Sequence, residues 1–479
     1  MRLPSVIMAF GVIGWVTGLA AAGPTGLPEL SKETKQCIEC HKAAASGIFQ
    51  QWGASRHYRA NVGCYECHKA EKGEPDAFEH NDHIIATIVS PKDCGRCHDR
   101  ENAEFAASHH SKGGRILGSL DNHLAEVVEG NSAFVTAGFP QGNSAAAVSG
   151  CWQCHGAVVK VLADGKLDPA TWPNTGIGRI NPDGSEGSCT ACHARHAFSA
   201  AQARHPDACG KCHMGPDHPQ KEIYYESKHG IAFTAHADKL GMDRPKWVVG
   251  EDYHLAPTCA TCHMSATADM PVTHDVGMRI SWNNRPAISV RPEASDAQMG
   301  LPGKDVPWQK RRQNMQNVCL NCHNSQWVDN FYVQYDGLIE LYHEKFAKPG
   351  GELMKLAAPL LKPASFSNRL DFVWYELWHH EGRRARHGAS MMGPDYTHWH
   401  GTYEIARNFY AEMIPELEEL ATRARAGGDP AKAKAAEALA TRLEEILSSP
   451  NHRWYLNKTD PAEVERRKKA AEEFKARYK

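Results

Sequence analysis

The 479-residue sequence lacks a charge excess of either sign, is poor in apolar side chains, and has no cysteine outside one repeated motif. Its 54 Lys and Arg are balanced by 56 Asp and Glu, which leaves no basic surface for nucleic acid. Only 42% of the residues are hydrophobic, which excludes a protein with many membrane spans. Alternating apolar residues are scarce, so no substantial sheet is expected.

The N-terminus carries the one long apolar run. Arg2 precedes apolar residues from Val6 to Ala22, and small residues end the run before Gly23. This layout is typical of a secretory signal peptide cleaved near Ala22. An uncleaved anchor is the alternative, because the run is near the lower limit for a membrane span. We expect residues 1–22 to be a signal peptide and the mature protein to be periplasmic.

All 16 cysteines lie in Cys-x-x-Cys pairs, and a histidine directly follows each pair. With 28 His in the chain, eight such coincidences have a chance probability on the order of 10⁻¹⁰. Zinc ribbons and disulfides give no reason for the adjacent His. The attachment of haem c does, because two thiols bond to its vinyl groups and the next imidazole binds the iron. The pattern predicts eight covalently bound haems.

The predicted haems are numbered 1 to 8 in chain order. Their anchors are Cys37 and Cys40, Cys64 and Cys67, Cys94 and Cys97, Cys151 and Cys154, Cys189 and Cys192, Cys209 and Cys212, Cys259 and Cys262, and Cys319 and Cys322. The proximal iron ligands are His41, His68, His98, His155, His193, His213, His263 and His323.

Subtracting eight proximal ligands from 28 His leaves 20, enough for a second axial ligand on most irons. An aromatic-x-x-Ser-x-His pattern recurs three times, ending at His57, His110 and His229. This spacing predicts short helices that carry each His to a haem other than its own. Three further distal ligands are predicted at His80, His196 and His274. Other candidates, with a surface role or a propionate contact as the alternative, are His83, His109, His379, His380, His387, His398 and His400.

The sequence predicts a mainly α protein with a multihaem cytochrome c fold and little sheet. Residues 23–330 form the octahaem-binding region, where porphyrin rings replace much of the side-chain core. Residues 331–479 show helical spacing and form a C-terminal helical region, with breaks predicted at 349–351 and 427–430. The charged stretch Asp460–Lys479 predicts a solvated or subunit-contacting helix.

Asp217 and His218 are adjacent and follow the sixth motif after three residues, in the segment HMGPDHP. A carboxylate beside an imidazole can accept or deliver protons in a reaction that couples them to electrons. From the spacing alone, a further distal ligand at His218 is the simpler interpretation.

The eight motifs, together with the segments WPNTGIGRINPDGS, CGKCHMGPDHPQ, YESKHG and PDYTHWHG, resemble the octahaem hydroxylamine oxidoreductase family. The similarity extends from about Cys37 to Tyr410. It implies a mainly helical homotrimer in which the fourth haem is catalytic and has an open distal face. That haem would be held here by Cys151, Cys154 and His155, and the other seven would be bis-His electron carriers.

The resemblance also implies roles for three further residues. Asp217 and His218 match the family's distal acid/base pair and are therefore interpreted as catalytic. Oxidising members carry a tyrosine from the neighbouring subunit that is covalently attached to the catalytic haem. Tyr396 is the candidate for that tyrosine, with Tyr403 in the same segment, and a tyrosine packed at a helix start is the alternative. Relatives without the link are thought to work reductively.

The predicted function is hydroxylamine redox chemistry at haem 4, with a partner cytochrome or quinone-linked membrane protein exchanging the electrons. The first alternative is reduction of hydroxylamine or nitrite to ammonia. The second is a pure electron-transfer cytochrome in which His218 or another histidine closes the fourth iron. Octahaem nitrite and tetrathionate reductases use a proximal lysine, and all eight motifs here end in His, so that interpretation is less favoured.

Overall fold

The mainly α prediction is confirmed, because the computed structural model is 60% helical with 4% strand. The predicted signal peptide, residues 1–22, lies outside the described residues. Within the parts that the structure describes, no helix is both long and apolar enough to cross a bilayer. The described residues are 29–116, 134–136, 139–143, 150–282 and 306–478.

The N-terminal part is built from short helices joined by turns and loops. Its described strands form two antiparallel hairpins, and the first turns through Asn81 and Asp82, which both have positive φ. The strands are Ala77–His80, His83–Ala86, Phe134–Thr136 and Phe139–Asn143. The α-helices are Lys32–Ala44, Ser46–Gly53, Arg56–Arg59, Cys64–His68, Pro91–Gly95, Asp99–Ala107, Gly113–Ile116, Cys151–Cys154, Ala200–Arg204, Pro206–Gly210, Gln220–Glu226, Lys228–His236 and Cys259–His263. Short 3₁₀ turns span His109–Lys112, Cys189–Ala191, Ala237–Lys239 and Val276–Arg279.

Longer helices make up the C-terminal part. The α-helices are Trp308–Cys319, Ser325–Tyr342, Lys348–Ala357, Arg369–Tyr375, Gly382–Met391, Pro394–Thr397, Glu404–Arg407, Ile414–Ala426, Pro430–Ser448 and Pro461–Ala476. A 3₁₀ turn spans Ala358–Leu360, and π turns span His343–Ala347, Glu376–Glu381, His398–Tyr403 and Asn408–Met413.

The main apolar core lies in these C-terminal helices, between Tyr342 and Leu447. Leu353, Leu377, Phe409, Met413 and other members of this core are fully buried. A smaller core, from Tyr224 to Ala260, lies in the motif-bearing part of the chain. The N-terminal helices therefore depend less on side-chain packing, as expected where haem faces supply apolar surface.

The predicted helix break at 349–351 is wrong. The chain stays helical over 325–357, with a π turn just before Pro349. Pro349 stands in the first turn of the segment that follows, where a missing N–H is best tolerated. Gly350 serves close packing, since a Cβ there would lie 2.5 Å from Cζ3 of Trp374. Both residues look like helix breakers in the sequence, yet their surroundings keep them helical.

The other predicted break is confirmed. Helix Ile414–Ala426 ends before the glycine pair, and helix Pro430–Ser448 packs back against it. Asp429 caps the second helix by accepting from the backbone N–H groups of Ala431 and Lys432. The final helix, Pro461–Ala476, has no buried residue, which fits a solvated segment.

Candidate haem-binding and catalytic site

Helical turns bring together the two thiols and the imidazole of each Cys-x-x-Cys-His motif. Residues at positions i, i+3 and i+4 share one face of such a turn. The sixteen cysteines form no disulfide, and no three His, Cys, Asp or Glu side chains of the described residues group as a metal site. In five motifs the backbone N–H of the histidine donates to the backbone carbonyl of the first cysteine at 2.9–3.0 Å. These histidines are His98, His155, His193, His213 and His323.

The motifs open onto one continuous cavity of about 1940 Å³. All eight predicted proximal histidines line it, and so do fifteen of the sixteen cysteines, all except Cys151. The six predicted distal histidines line it as well. Residues from widely separated parts of the chain therefore face a shared space, as a cluster of closely packed haems requires.

Six proximal histidines face a second histidine across this cavity. In each pair the second residue is one of the six predicted distal ligands, and the ring centroids lie 6.1–6.5 Å apart. The pairs are His41 with His80, His68 with His196, His98 with His57, His193 with His274, His213 with His110, and His323 with His229.

These separations fit two imidazoles on one iron. A first-row metal binds imidazole nitrogen at about 2.0 Å, and that nitrogen is about 1.1 Å from its ring centre. Two coaxial ligands then have centroids about 6 Å apart. The residues present thus fit haem c with two axial histidines at six positions, while ligation itself stays a prediction. At the fourth and seventh motifs, His155 and His263 line the same cavity.

The aromatic-x-x-Ser-x-His pattern marks the start of a helical turn, with the serine as its N-cap. In each copy the serine is a buried, extended residue whose Oγ accepts a backbone N–H of the next helical turn, from Tyr58, His110 or Gly230. The buried aromatic residue's carbonyl accepts the serine N–H. The cap fixes where the turn begins, so the histidine two residues later has a defined direction. Each of the three faces the proximal histidine of a later motif.

Replacing Ser227 by Ala removes two bonds of the cap before His229, because its Oγ also donates to the Tyr224 carbonyl at 2.6 Å. We expect a local loss of about 1 kcal/mol. Amides of the helix Lys228–His236 should then exchange hydrogen about fivefold faster, which mass spectrometry measures. Ser448→Ala, at an exposed helix end, is the control and should change nothing. Equal exchange in both variants would contradict the capping role.

The histidines left open by the sequence form none of these six pairs. His83 lines the cavity and lies 3.0 Å from Gln36. His398 packs against Trp399, and His400 lies near Asp395 and Glu404. The remaining four lie on the cavity or near Asp217: His109, His379, His380 and His387.

Asp217 and His218 occupy the loop between the sixth motif and helix Gln220–Glu226. The two side chains form a close pair in which Nδ1 of His218 donates to Oδ1 of Asp217. His218 lines the cavity and lies close to Cys154, an anchor of haem 4. His213, whose ring lies edge-on 5.9 Å from His218, already faces His110. His218 is therefore not needed as the second ligand of haem 6.

The surroundings of the pair stabilise opposite charges on its members. Burial alone would raise the pKa of Asp217, but the bond from His218 and the nearby positive groups hold it well below its usual range. Burial alone would lower the pKa of His218, and the bond and charge of Asp217 outweigh it, so that pKa is raised. The pair favours a carboxylate beside an imidazole that can hold a proton.

Two partners of Asp217 were not predicted from the sequence. Arg383 donates from Nη1 to Oδ2 at 3.4 Å, and Nδ1 of His379 lies 4.0 Å from the same oxygen. Both belong to the helical segment ELWHHEGRRARH, which packs near helix Gln220–Glu226. The dense cluster of His and Arg in that segment is the sequence feature that could have pointed to these partners.

Tyr396 lies away from the cavity. It is half-buried, its backbone N–H donates to Glu226, and its ring lies 5.4 Å from that of His400. Tyr403 is 51% exposed. The fold does not bring either tyrosine to the chain's own cavity lining, so a cross-link from a neighbouring subunit stays a prediction.

Cysteines of different motifs lie near one another around the cavity. Cys154 lies near Cys212, Cys94 near Cys189, and Cys209 near Cys259. Further close neighbours are Cys37 and Cys64, Cys67 and Cys94, Cys192 and Cys209, and Cys262 and Cys319. The motifs are therefore neighbours in the order 1, 2, 3, 5, 6, 7 and 8, with motif 4 beside motif 6.

Comparisons with known proteins define the class. Residues 180–347 match the family described as seven times multi-haem cytochrome CxxCH, and residues 23–69 match cytochrome c554 and c-prime. A solved structure of a hypothetical multiheme protein superposes with a TM-score of 0.70 at 27% identity, covering 84% of this chain and 98% of that one. The chain is a multihaem c-type cytochrome that carries covalently bound haem.

Its relatives place it more closely. A probable nitrite reductase-hydroxylamine oxidoreductase fusion protein of Kuenenia stuttgartiensis is 27% identical over 342 residues, 62% of this chain. The chain spans only 35% of that curated relative's length. A reducing HAO-like protein complex from the same organism shares the fold, with a TM-score of 0.56 and 20% identity over 83% of this chain and 86% of that one. Among multihaem cytochromes, the chain is thus similar to HAO-like proteins.

Proposed function

We propose that the protein is an octahaem oxidoreductase that performs hydroxylamine redox chemistry at the haem anchored by Cys151 and Cys154. The observation that carries this proposal is the Asp217–His218 pair, which reaches the haem cavity beside Cys154. A buried carboxylate–imidazole pair next to a redox cofactor is suited to reactions that move protons with electrons. The curated relative, named for nitrite reductase and hydroxylamine oxidoreductase, supports a nitrogen compound as substrate.

The chain's residues divide the work of this site. His155 would be the proximal ligand, and haem bound there supplies an iron that exchanges electrons with the substrate nitrogen. Asp217 fixes the imidazole of His218 by accepting from Nδ1. That bond orients Nε2 as the ring nitrogen that exchanges protons with a substrate in the cavity.

The other seven motifs would conduct electrons between the site and a partner. Six of them have a paired histidine at the spacing that suits bis-His ligation, which leaves no position for a substrate. The contact between Cys154 and Cys212 makes motif 6 the connection from motif 4 to the rest. The partner would be another cytochrome or a quinone-linked membrane protein, and the assembly a homotrimer in the periplasm.

Reduction of hydroxylamine or nitrite to ammonia is the second candidate. It is favoured by the names of two similar proteins, of which one includes nitrite reductase and the other is called a reducing HAO-like complex. Oxidation would be favoured by a tyrosine–haem cross-link between subunits. Mass spectrometry of haem peptides from the purified protein distinguishes the two, because only a cross-linked peptide carries an added Tyr396 fragment.

Ligand binding tests whether the protein is an enzyme. Carbon monoxide added to the reduced holoprotein, or hydroxylamine to the oxidised one, should change the absorption of about one haem in eight. An open axial position is needed for either ligand, and bis-His irons have none. A spectrum that no ligand changes would make the protein a pure electron carrier.

A further inference from the structure

Asp217 is held from two sides. On its own loop, Oδ1 accepts from His218. From the C-terminal helices, Arg383 donates to Oδ2 at 3.4 Å, and Nδ1 of His379 lies 4.0 Å from that oxygen. His380 adds to the surroundings of the same carboxylate. The second oxygen is thus approached by a helix far along the chain and not by the loop that carries the pair.

The two helix residues are themselves rigidly placed. The His379 ring stacks on Tyr375 with centroids 4.3 Å apart, and the Tyr375 hydroxyl lies 3.3 Å from Nε2 of His379. The Arg383 guanidinium lies 5.3 Å from the ring of Trp378. The two side chains are only 7% and 10% exposed. Such supported side chains can fix a third group in one orientation.

The spacing of the two residues along one helical segment explains why both reach the same oxygen. Glu376–Glu381 has the wider π spacing, and the helix returns to α geometry at Gly382. Residues four apart lie on the same face of a helix. His379 and Arg383 therefore face Asp217 together.

We propose that Arg383 and His379 are positioning residues that clamp Oδ2 of Asp217, so that Oδ1 holds His218 in one orientation toward the cavity. This inference rests on the proposed function, because it assigns the clamp to the same acid/base pair. We call this arrangement the Asp217 clamp. Neither residue touches the substrate; both act through the carboxylate.

The two clamp residues contribute differently. Arg383 brings a permanent positive charge to within 3.4 Å of Oδ2, where its attraction to the carboxylate is mainly electrostatic. Burial and the charge of Arg383 lower the pKa of His379 to about 2, so its ring is neutral at physiological pH. Nε2 of His379 lies 3.3 Å from the Tyr375 hydroxyl, and Nδ1 lies on the side of Asp217, 4.0 Å from Oδ2. Arg383 supplies most of the attraction, and His379 supplies direction.

Arg383→Gln in the holoprotein tests the clamp. We expect kcat for hydroxylamine to fall about 10- to 100-fold, because a small misplacement of a proton-transfer group is costly, while KM stays within about twofold. Asp217→Asn should likewise lower kcat and leave KM nearly unchanged. The double variant D217N/R383Q should be no slower than D217N, because Arg383 acts only through the carboxylate.

Cyanide binding to the oxidised protein gives a readout apart from turnover. Hydrogen cyanide loses its proton on binding, and the Asp217–His218 pair would accept it. We expect the association rate, followed by absorption, to fall about 10-fold in both R383Q and D217N. Arg383→Lys keeps the charge without the planar fork and should return kcat to within about fivefold of the unchanged protein.

Arg384→Gln is the matched control, because Arg384 is the next residue and pairs with Glu404 at 2.8 Å. It should retain haem content, kcat and cyanide association. If R383Q loses haem, His379→Gln decides by the same measurements, with about a 3- to 10-fold loss of kcat expected.

Three results would overturn the clamp: equal losses of kcat in R383Q and R384Q, additive losses in D217N/R383Q, or an unchanged kcat in H379Q. Failure of the proposed function has a different signature, since the unchanged protein would then bind no cyanide.

Discussion

Replacing Asp217 by Asn and His218 by Gln together should abolish turnover of hydroxylamine while all eight haems stay attached. The two residues form the hydrogen-bonded pair on the cavity, and the variant keeps their size while removing a charge and an exchangeable proton site. General acid/base groups contribute about 10²- to 10⁴-fold, so a loss of at least 100-fold is expected. Steady-state kinetics and a haem count by absorption check this result.

The matched control for that variant is Asp395→Asn combined with His400→Gln. These residues also form an Asp–His pair, with 3.5 Å between Nε2 and Oδ2, but both side chains are half exposed and do not line the cavity. Turnover should survive there. Full activity in D217N/H218Q would remove the proton-handling role and leave His218 as a ligand or a structural residue.

Replacing both Cys151 and Cys154 by Ser should remove one haem of the eight and all substrate turnover. The thioether bonds of these two cysteines would be the covalent anchors of haem 4, and serine cannot form them. Carbon monoxide should then bind to no haem of the reduced protein. The other haems should still be reduced by dithionite, because their anchors lie in separate helical turns. Mass spectrometry counts the haems, and absorption follows the ligand.

Cys37→Ser with Cys40→Ser is the matched control at the other end of the order of motifs. It should also lose one haem, yet keep the carbon monoxide signal, because motif 1 has the His41–His80 pair and no proposed open position. Carbon monoxide binding that survives C151S/C154S would place the open iron at another motif.

The sequence predicts more of the ligand set than of its arrangement. His57, His110 and His229 stand out because a capped helix start repeats before each, and that is a local pattern. Which proximal histidine each one faces depends on how distant helices pack, as with His110 and His213. Spacing along one chain carries no information about that packing.

The proposed clamp shows the same limit at the proposed acid/base pair. The adjacency of Asp217 and His218 is visible in the sequence, whereas Arg383 meets Asp217 only because two helices far apart in the chain come together. The wrong break at 349–351 has a related cause. Proline and glycine are strong local signals, but the tolerance of Pro349 and the packing of Trp374 on Gly350 are set by neighbours.

The π turn at Glu376–Glu381 sets the rotation of the following residues about the helix axis, and the clamp depends on that rotation. Each residue advances an α-helix by about 100°, so one residue more or fewer turns everything beyond it to another side. Deleting a single residue there would leave a straight, fully helical segment of nearly the same length. It would also rotate Arg383 away from Asp217. A relative could therefore keep every residue of the clamp and still have no clamp.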